Sequence, residues 1–217
     1  MVERFLPKEE VAGSSPVRRS RISKNMRIGI TLTSSLDINQ EYTELTNKVA
    51  NAIALRGYGI VYGGTAYGMM KILAESYKQS GGKDLCGVLA KDLTAVTKNY
   101  EKYSNLDEEH SVSTVEERKS KIIVLSDAYL ILPGGWGTFE EIGSIIGGQA
   151  NKIYSKPIAF YNFDGYYNVL FKFLNEMYKK KFSRIEPGEL FFSSDNINSI
   201  FSFFENYSAK PLKDKFI

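Results

Sequence analysis

The chain has 217 residues, 43% apolar and 13% aromatic, enough for a buried core, and its 28 Lys/Arg against 25 Asp/Glu leave a net +3 that is too balanced to argue for nucleic acid. A single cysteine, Cys86, and a single histidine, His110, exclude a disulfide scaffold, a Cys-rich zinc site and a His-cluster metal centre, and argue against a Ser-His-Asp triad. No apolar run approaches the roughly 18 residues that cross a bilayer, and the N-terminal stretch lacks the apolar core of a signal peptide, so no membrane partner and a cytoplasmic location are expected.

The first 27 residues carry seven Lys/Arg and three Asp/Glu, are rich in Ser and include Pro16. Residues 1–25 therefore read as a basic extension ahead of one domain over 26–217. From Met26 the pattern alternates. Residues 27–32 read as a buried strand. Residues 39–56 read as a helix with Leu45, Val49, Ala52 and Ile53 at helical spacing, stopped by Gly57. A strand is expected at 58–62, a helix at 67–79 and a strand at 85–89. A further helix is expected at 116–126, a strand at 128–132, a helix at 139–150, a strand at 157–161, and helices at 166–180 and 197–207. This order predicts an α/β fold, a doubly wound parallel sheet with helices on both faces and a ligand at the carboxyl ends of its strands.

The glycines fall in those loops. Residues 132–141 read Leu-Pro-Gly-Gly-Trp-Gly-Thr-Phe-Glu-Glu, a strand, a turn with Gly134, Gly135 and Gly137, and a helix. Glycine lets backbone approach a ligand closely, and a helix N-terminus offers unpaired N–H groups to a phosphate. Thr138 is expected to cap the helix and add a hydroxyl, with Glu140 and Glu141 in its first turn. The same features would also suit a plain capped helix. Residues 61–68 form a second glycine-rich loop with Gly63, Gly64 and Gly68, which fits neither the G-x-G-x-x-G spacing nor a P-loop. Residues 114–119, Thr-Val-Glu-Glu-Arg-Lys, place Arg118 and Lys119 on a charged helix, where an Arg fork suits a phosphate or carboxylate.

Glu117-Arg118-Lys119 followed by Pro133-Gly-Gly-x-Gly-Thr-x-x-Glu141 resembles the Lonely guy family, the cytokinin riboside 5'-monophosphate phosphoribohydrolases long labelled possible lysine decarboxylases. The resemblance runs over about residues 26–207. It includes Val61-Tyr-Gly-Gly64, Ser126-Asp-Ala128, Lys156-Pro157, Asp164-Gly-Tyr-Tyr167 and the Phe-Phe-Ser-Ser stretch before the last helix. It implies a Rossmann-like fold, a homodimer or larger assembly, and hydrolysis of a nucleoside 5'-monophosphate to free base and ribose 5-phosphate, with no cofactor and no metal. Arg118 and Glu141 match the family's essential pair, and Gly134, Gly135, Gly137 and Thr138 its phosphate loop. Ser34, Ser35, Gly63, Gly64, Lys119 and Glu140 complete the expected substrate contacts. Such chemistry passes through an oxocarbenium-like state that a carboxylate stabilises. The chain departs from the family at Thr33, Thr65, Lys71, Val115, Glu116, Gly147 and Gly148, which alters the base pocket more than the phosphate site.

Two alternatives stand beside the hydrolase: a non-catalytic nucleotide or molybdenum-cofactor carrier on the same fold, and a hydrolase of a pyrimidine nucleotide such as CMP. A lysine decarboxylase is disfavoured, because no lysine sits in a recognisable pyridoxal-phosphate context. Trp136 is placed to stack on a base or meet another surface. Cys86 reads as a buried inert thiol and His110 as a surface-loop residue. The aromatic cluster at 160–167 and Phe201, Phe203 and Phe204 read as packing.

Overall fold

The computed structural model describes residues 26–97, 100–209 and 211–212, so the reading of residues 1–25 as an extension lies outside the described residues. The elements follow in order: β1 (Arg27–Thr31), α1 (Gln40–Leu55), β2 (Gly59–Tyr62), α2 (Gly68–Gln79), β3 (Leu85–Ala90), α3 (Lys91–Val96), β4 (Glu108–Val112) and α4 (Val115–Leu125). Then come β5 (Ala128–Ile131), α5 (Trp136–Ala150), β6 (Ile158–Tyr161), a short 3-10 turn, α6 (Asn168–Lys179), α7 (Pro187–Leu190), β7 (Phe192–Ser194) and α8 (Ile197–Glu205).

The seven strands form one sheet in the order β4-β3-β2-β1-β5-β6-β7, and every pairing is parallel. The alternation of side chains sorts the core onto two faces. Ile28, Ile30, Ile60, Tyr62, Leu85, Leu130 and Ala159 join one cluster with Leu45, Val49 and Ile53 of α1, Leu73 and Tyr77 of α2, and Phe201 and Phe204 of α8. Tyr129, Ile131, Ile158 and Phe160 face the other way, against Ile142 and Ile145 of α5 and Tyr167. Val61, Cys86 and Val88 share that second face beneath Ile122 and Leu125 of α4. Burial pushes the Cys86 thiol up to about 11. The strands are apolar on both faces because helices cover both, which is why they read as short continuous runs.

Several elements depart from the sequence reading. Helix α5 begins at Trp136, three residues early, and α6 begins at Asn168, two residues late. Strand β4 was not expected: its sequence Glu-Glu-His-Ser-Val is polar, because it is the edge strand and alternates half-buried and exposed. His110 therefore lies in a strand rather than a loop. Helix α3 and strand β7 are short and carry too little apolar periodicity to be seen. Among the described residues, no helix is long and apolar enough to cross a membrane.

Candidate active site

Strand order reverses between β1 and β5, since β2, β3 and β4 extend the sheet one way and β6 and β7 the other. The loops leaving β1 and β5 must part there, and they open a crevice at the carboxyl ends of the strands. A cavity of about 470 Å³ fills it, within the size range of small-molecule sites. Its walls come from five strand exits: Leu32–Ser35 after β1, Thr65 and Tyr67 after β2, Leu93, Thr97 and Tyr100 after β3, Arg118 on α4, and Gly135–Thr138 with Glu141 after β5.

The position of Arg118 is set by the start of α4. Thr114 caps the helix by accepting from the Glu117 amide at 3.1 Å, and the Glu117 carboxylate accepts from the Ser113 amide at 2.7 Å. Asp92 of α3 accepts from the Val115 amide at 3.1 Å. At the far end, Lys156 donates to the carbonyls of Ile123 and Ser126 at 2.7 and 2.6 Å, which satisfies the last turn. Arg118 then reaches across to Glu141 of α5, Nη2 to Oε1 at 3.3 Å, with side chains only 11% and 12% exposed. Thr31, at the end of β1, donates its hydroxyl to the second oxygen of Glu141. Burial raises the Glu141 carboxyl above its ordinary value, and the pull of Arg118 and the Thr31 hydrogen bond offsets only part of that.

The glycine turn is anchored from behind. Tyr167 donates to the Leu132 carbonyl at 2.7 Å and Tyr166 to the Gly134 carbonyl at 2.7 Å. Phe139 N to Gly135 O, at 2.9 Å, is the first hydrogen bond of α5, so the amides of Trp136, Gly137 and Thr138 precede it at the helix N-terminus. A Cβ on Gly135 or Gly137 would meet nothing within 4 Å, so this backbone faces open space, as an anion cradle requires. On the opposite wall, Gly68 holds φ +51°, and a Cβ there would lie 2.1 Å from the Ser35 carbonyl oxygen. Gly68 thus lets α2 support the Ser34–Ser35 loop at close range. Arg118 Nε, Thr138 Oγ1 and Tyr100 Oη, all on lining residues, are buried without a well-formed hydrogen bond, the Tyr100 hydroxyl lying beside the Arg118 guanidinium. Unsatisfied groups of this kind ask for a ligand or water.

Of the residues expected at the site, Arg118, Glu141, Ser34, Ser35, Gly135, Gly137 and Thr138 line the cavity together. Gly134 does not: its missing Cβ makes room for the Thr138 hydroxyl. Gly63 and Gly64 do not line it either. Gly63 packs beside the Arg118 guanidinium, and Gly64, at φ +71°, lies against Leu89 and Gly87. Lys119 and Glu140 pair with each other outside the cavity lining and clasp α4 to α5. Thr138 does not cap α5, because Gly135 holds that position. Glu140 and Glu141 fall in the second turn, so Glu141 answers to Arg118 rather than to the helix dipole. Thr31, Thr97 and Tyr100 were not expected. They come from a strand end and from segments with no motif, so no sequence signal pointed to them.

An α/β protein with a nucleotide-sized cleft at its switch point is the class these features define. Residues 70–203 match the family model described as "possible lysine decarboxylase". Two cytokinin riboside 5'-monophosphate phosphoribohydrolases of Arabidopsis thaliana resemble the chain along most of its length. One is 30% identical over 186 residues (86% of this chain, 85% of the relative), the other 29% over 192 residues (88% and 82%). The fold is shared with the molybdenum cofactor carrier protein of Chlamydomonas reinhardtii, at TM-score 0.62 and 18% identity, covering 82% of this chain and 95% of that one. It is also shared with DNA processing protein A of Helicobacter pylori, at TM-score 0.53 and 18% identity, covering 84% and 82%. The chain belongs to the Lonely guy family of phosphoribohydrolases.

Proposed function

We propose that this protein hydrolyses the N-glycosidic bond of a nucleoside 5'-monophosphate, with a cytokinin-type or adenine base as the lead substrate. The observation that carries the reading is the buried Arg118–Glu141 pair facing an open glycine turn across one cavity. The 5'-phosphate is assigned to the amides at the start of α5, with Thr138 adding its unpartnered hydroxyl. This remote anchor positions the sugar so that C1' lies toward Glu141. The C1'–N bond breaks with its electron pair passing to the base nitrogen, which takes a proton from solvent. A water oxygen bonds C1' and releases its own proton. Glu141, as carboxylate, stabilises the positive charge that develops at C1' or binds a ribose hydroxyl, and Arg118 holds it in place. Met70, Leu93, Tyr67 and Tyr100 supply an apolar wall suited to a base. Among the described residues, no lysine lines this cavity.

The reading includes a homodimer in the cytoplasm, without nucleic-acid or membrane partners, in which residues 26–217 act as one unit. Helix α6 supports the dimer: Val169 and Phe173 are 81% and 61% exposed, and none of its residues is fully buried. The test is incubation with AMP, CMP, GMP, UMP and isopentenyladenosine monophosphate, with free base and ribose 5-phosphate separated by chromatography. Release from one of them, lost in Glu141→Gln and Arg118→Ala, supports the hydrolase, and release from CMP alone moves the substrate to pyrimidines. Thermal stabilisation by a nucleotide without base release would overturn the hydrolase in favour of a carrier.

A further inference from the structure

The chain's only cysteine and only histidine meet, and they do so away from the cleft. Cys86 is the second residue of β3. Glu108 and His110 are the first and third of β4, and the parallel register sets Cys86 beside Glu108 and Val88 beside His110. Residues two apart on a strand share a face, so all three side chains rise from the same side of the sheet edge. The Cys86 sulfur, a Glu108 carboxylate oxygen and a His110 ring nitrogen all lie within 4.8 Å of one another. A tetrahedral ion with bonds of about 2.0–2.3 Å needs donors roughly 3.3–3.8 Å apart, which modest side-chain rotations supply. Cys86 is fully buried, while the His110 and Glu108 side chains are 26% and 37% exposed, so the cluster has a floor and an entry.

The surroundings fit a ligand set. One Glu108 oxygen faces His110 at 2.6 Å, and the other accepts from Arg27 at 2.6 Å. Arg27 in turn is gripped by Asp84 at 2.6 and 2.8 Å. An outer partner of this kind fixes a ligating carboxylate. We propose that Cys86, Glu108 and His110 bind one divalent cation of the zinc class, with a fourth position open to water. One cysteine and one histidine cannot form a cluster of either kind, but a mixed set draws on one of each. Sulfur, nitrogen and oxygen donors together favour zinc or cobalt over magnesium or calcium. On binding, the thiol releases its proton to solvent as the metal–sulfur bond forms, with no change of oxidation state. Of the charged groups around the sulfur, Arg27 and Lys121 oppose a cation and Asp84 favours one, so with three protein ligands the affinity should fall below that of a four-ligand structural site. The cluster sits toward the amino ends of β3 and β4, opposite the cleft, so its role is to clasp the edge strand rather than to take part in hydrolysis.

The test uses the full, untagged, reduced chain, freed of metal and titrated with cobalt(II) alone. One equivalent should bind with a thiolate-to-metal charge-transfer band in the near ultraviolet, assignable to Cys86 because the chain has no other cysteine. Zinc should displace the cobalt and raise the melting temperature, and magnesium should do neither. Cys86→Ser should abolish the band. Because Cys86 is buried, His110→Gln at the half-exposed strand provides a second arm, and it should weaken binding by about tenfold or more. No band in the native chain, or cobalt affinity unchanged in His110→Gln, overturns the proposal.

Discussion

Glu141 holds a carboxylate where little water reaches, with one cation and one hydroxyl as its partners. Its role predicts that Glu141→Gln lowers kcat for base release by about a hundredfold or more while nucleotide binding survives. Steady-state kinetics and calorimetry check the two halves separately. The raised carboxyl also has a thermodynamic sign. The folded chain holds this proton more tightly than the unfolded chain does, so the contribution of Glu141 favours folding below its ordinary value of 4.5. That contribution is lost as pH rises through the higher folded value. Carbon NMR of the Glu141 side chain should place its midpoint above 4.5, and a midpoint at or below 4.5 would contradict the burial argument. Tyr100 offers a probe of the cavity, because its hydroxyl is buried beside the Arg118 guanidinium without a well-formed hydrogen bond. Tyr100→Phe should leave the melting temperature level or higher, yet raise KM about two- to tenfold if substrate supplies the missing bond. Arg118, Glu141 and the open glycines were legible because two short motifs, Glu117-Arg-Lys119 and Pro133-Gly-Gly-x-Gly-Thr-x-x-Glu141, carry them. Tyr100, Thr97 and Thr31 were not, since the fold alone brings those segments to the crevice.

Elements place these residues through a few supports. Gly68 is one, with a positive φ and the Ser35 carbonyl where a side chain would stand. Gly68→Ala should cost more than about 1 kcal/mol of stability and displace the Ser34–Ser35 wall, read by denaturant melts and by a rise in KM. Lys156 is another, closing the last turn of the helix that carries Arg118. Lys156→Met should cost about 1–3 kcal/mol by leaving carbonyls of α4 unpaired, checked by the same melts. The buried strands were legible from their apolar runs, and α1 and α2 from periodicity closed by Gly57 and Gly81. Strand β4 was hidden because an edge strand with one polar face has no apolar run to display. The start of α5 was hidden because Trp-Gly-Thr reads as turn, whereas the helix takes Gly135 as its cap and runs from Trp136.

For the whole molecule, the doubly wound order sets a crevice at the switch point, and among the described residues α6 keeps an apolar face exposed at Val169 and Phe173. If that face joins two copies, sedimentation should give a dimer, and Phe173→Asp should shift it toward monomer. A native monomer would contradict this part of the account. Alternation of strands and helices was enough to predict the parallel sheet, and the two motifs name Arg118 and Glu141, but the contact at 3.3 Å across 23 residues and the Thr31 hydroxyl on the second carboxylate oxygen come from the fold. A phosphate anchor that positions a glycosidic bond for cleavage should make one nucleotide react where its own nucleoside does not. Incubation with AMP and with adenosine, products resolved by mass spectrometry, should give adenine and ribose 5-phosphate from AMP and little or no adenine from adenosine. Equal release from both, or adenosine and inorganic phosphate from AMP, would contradict the account.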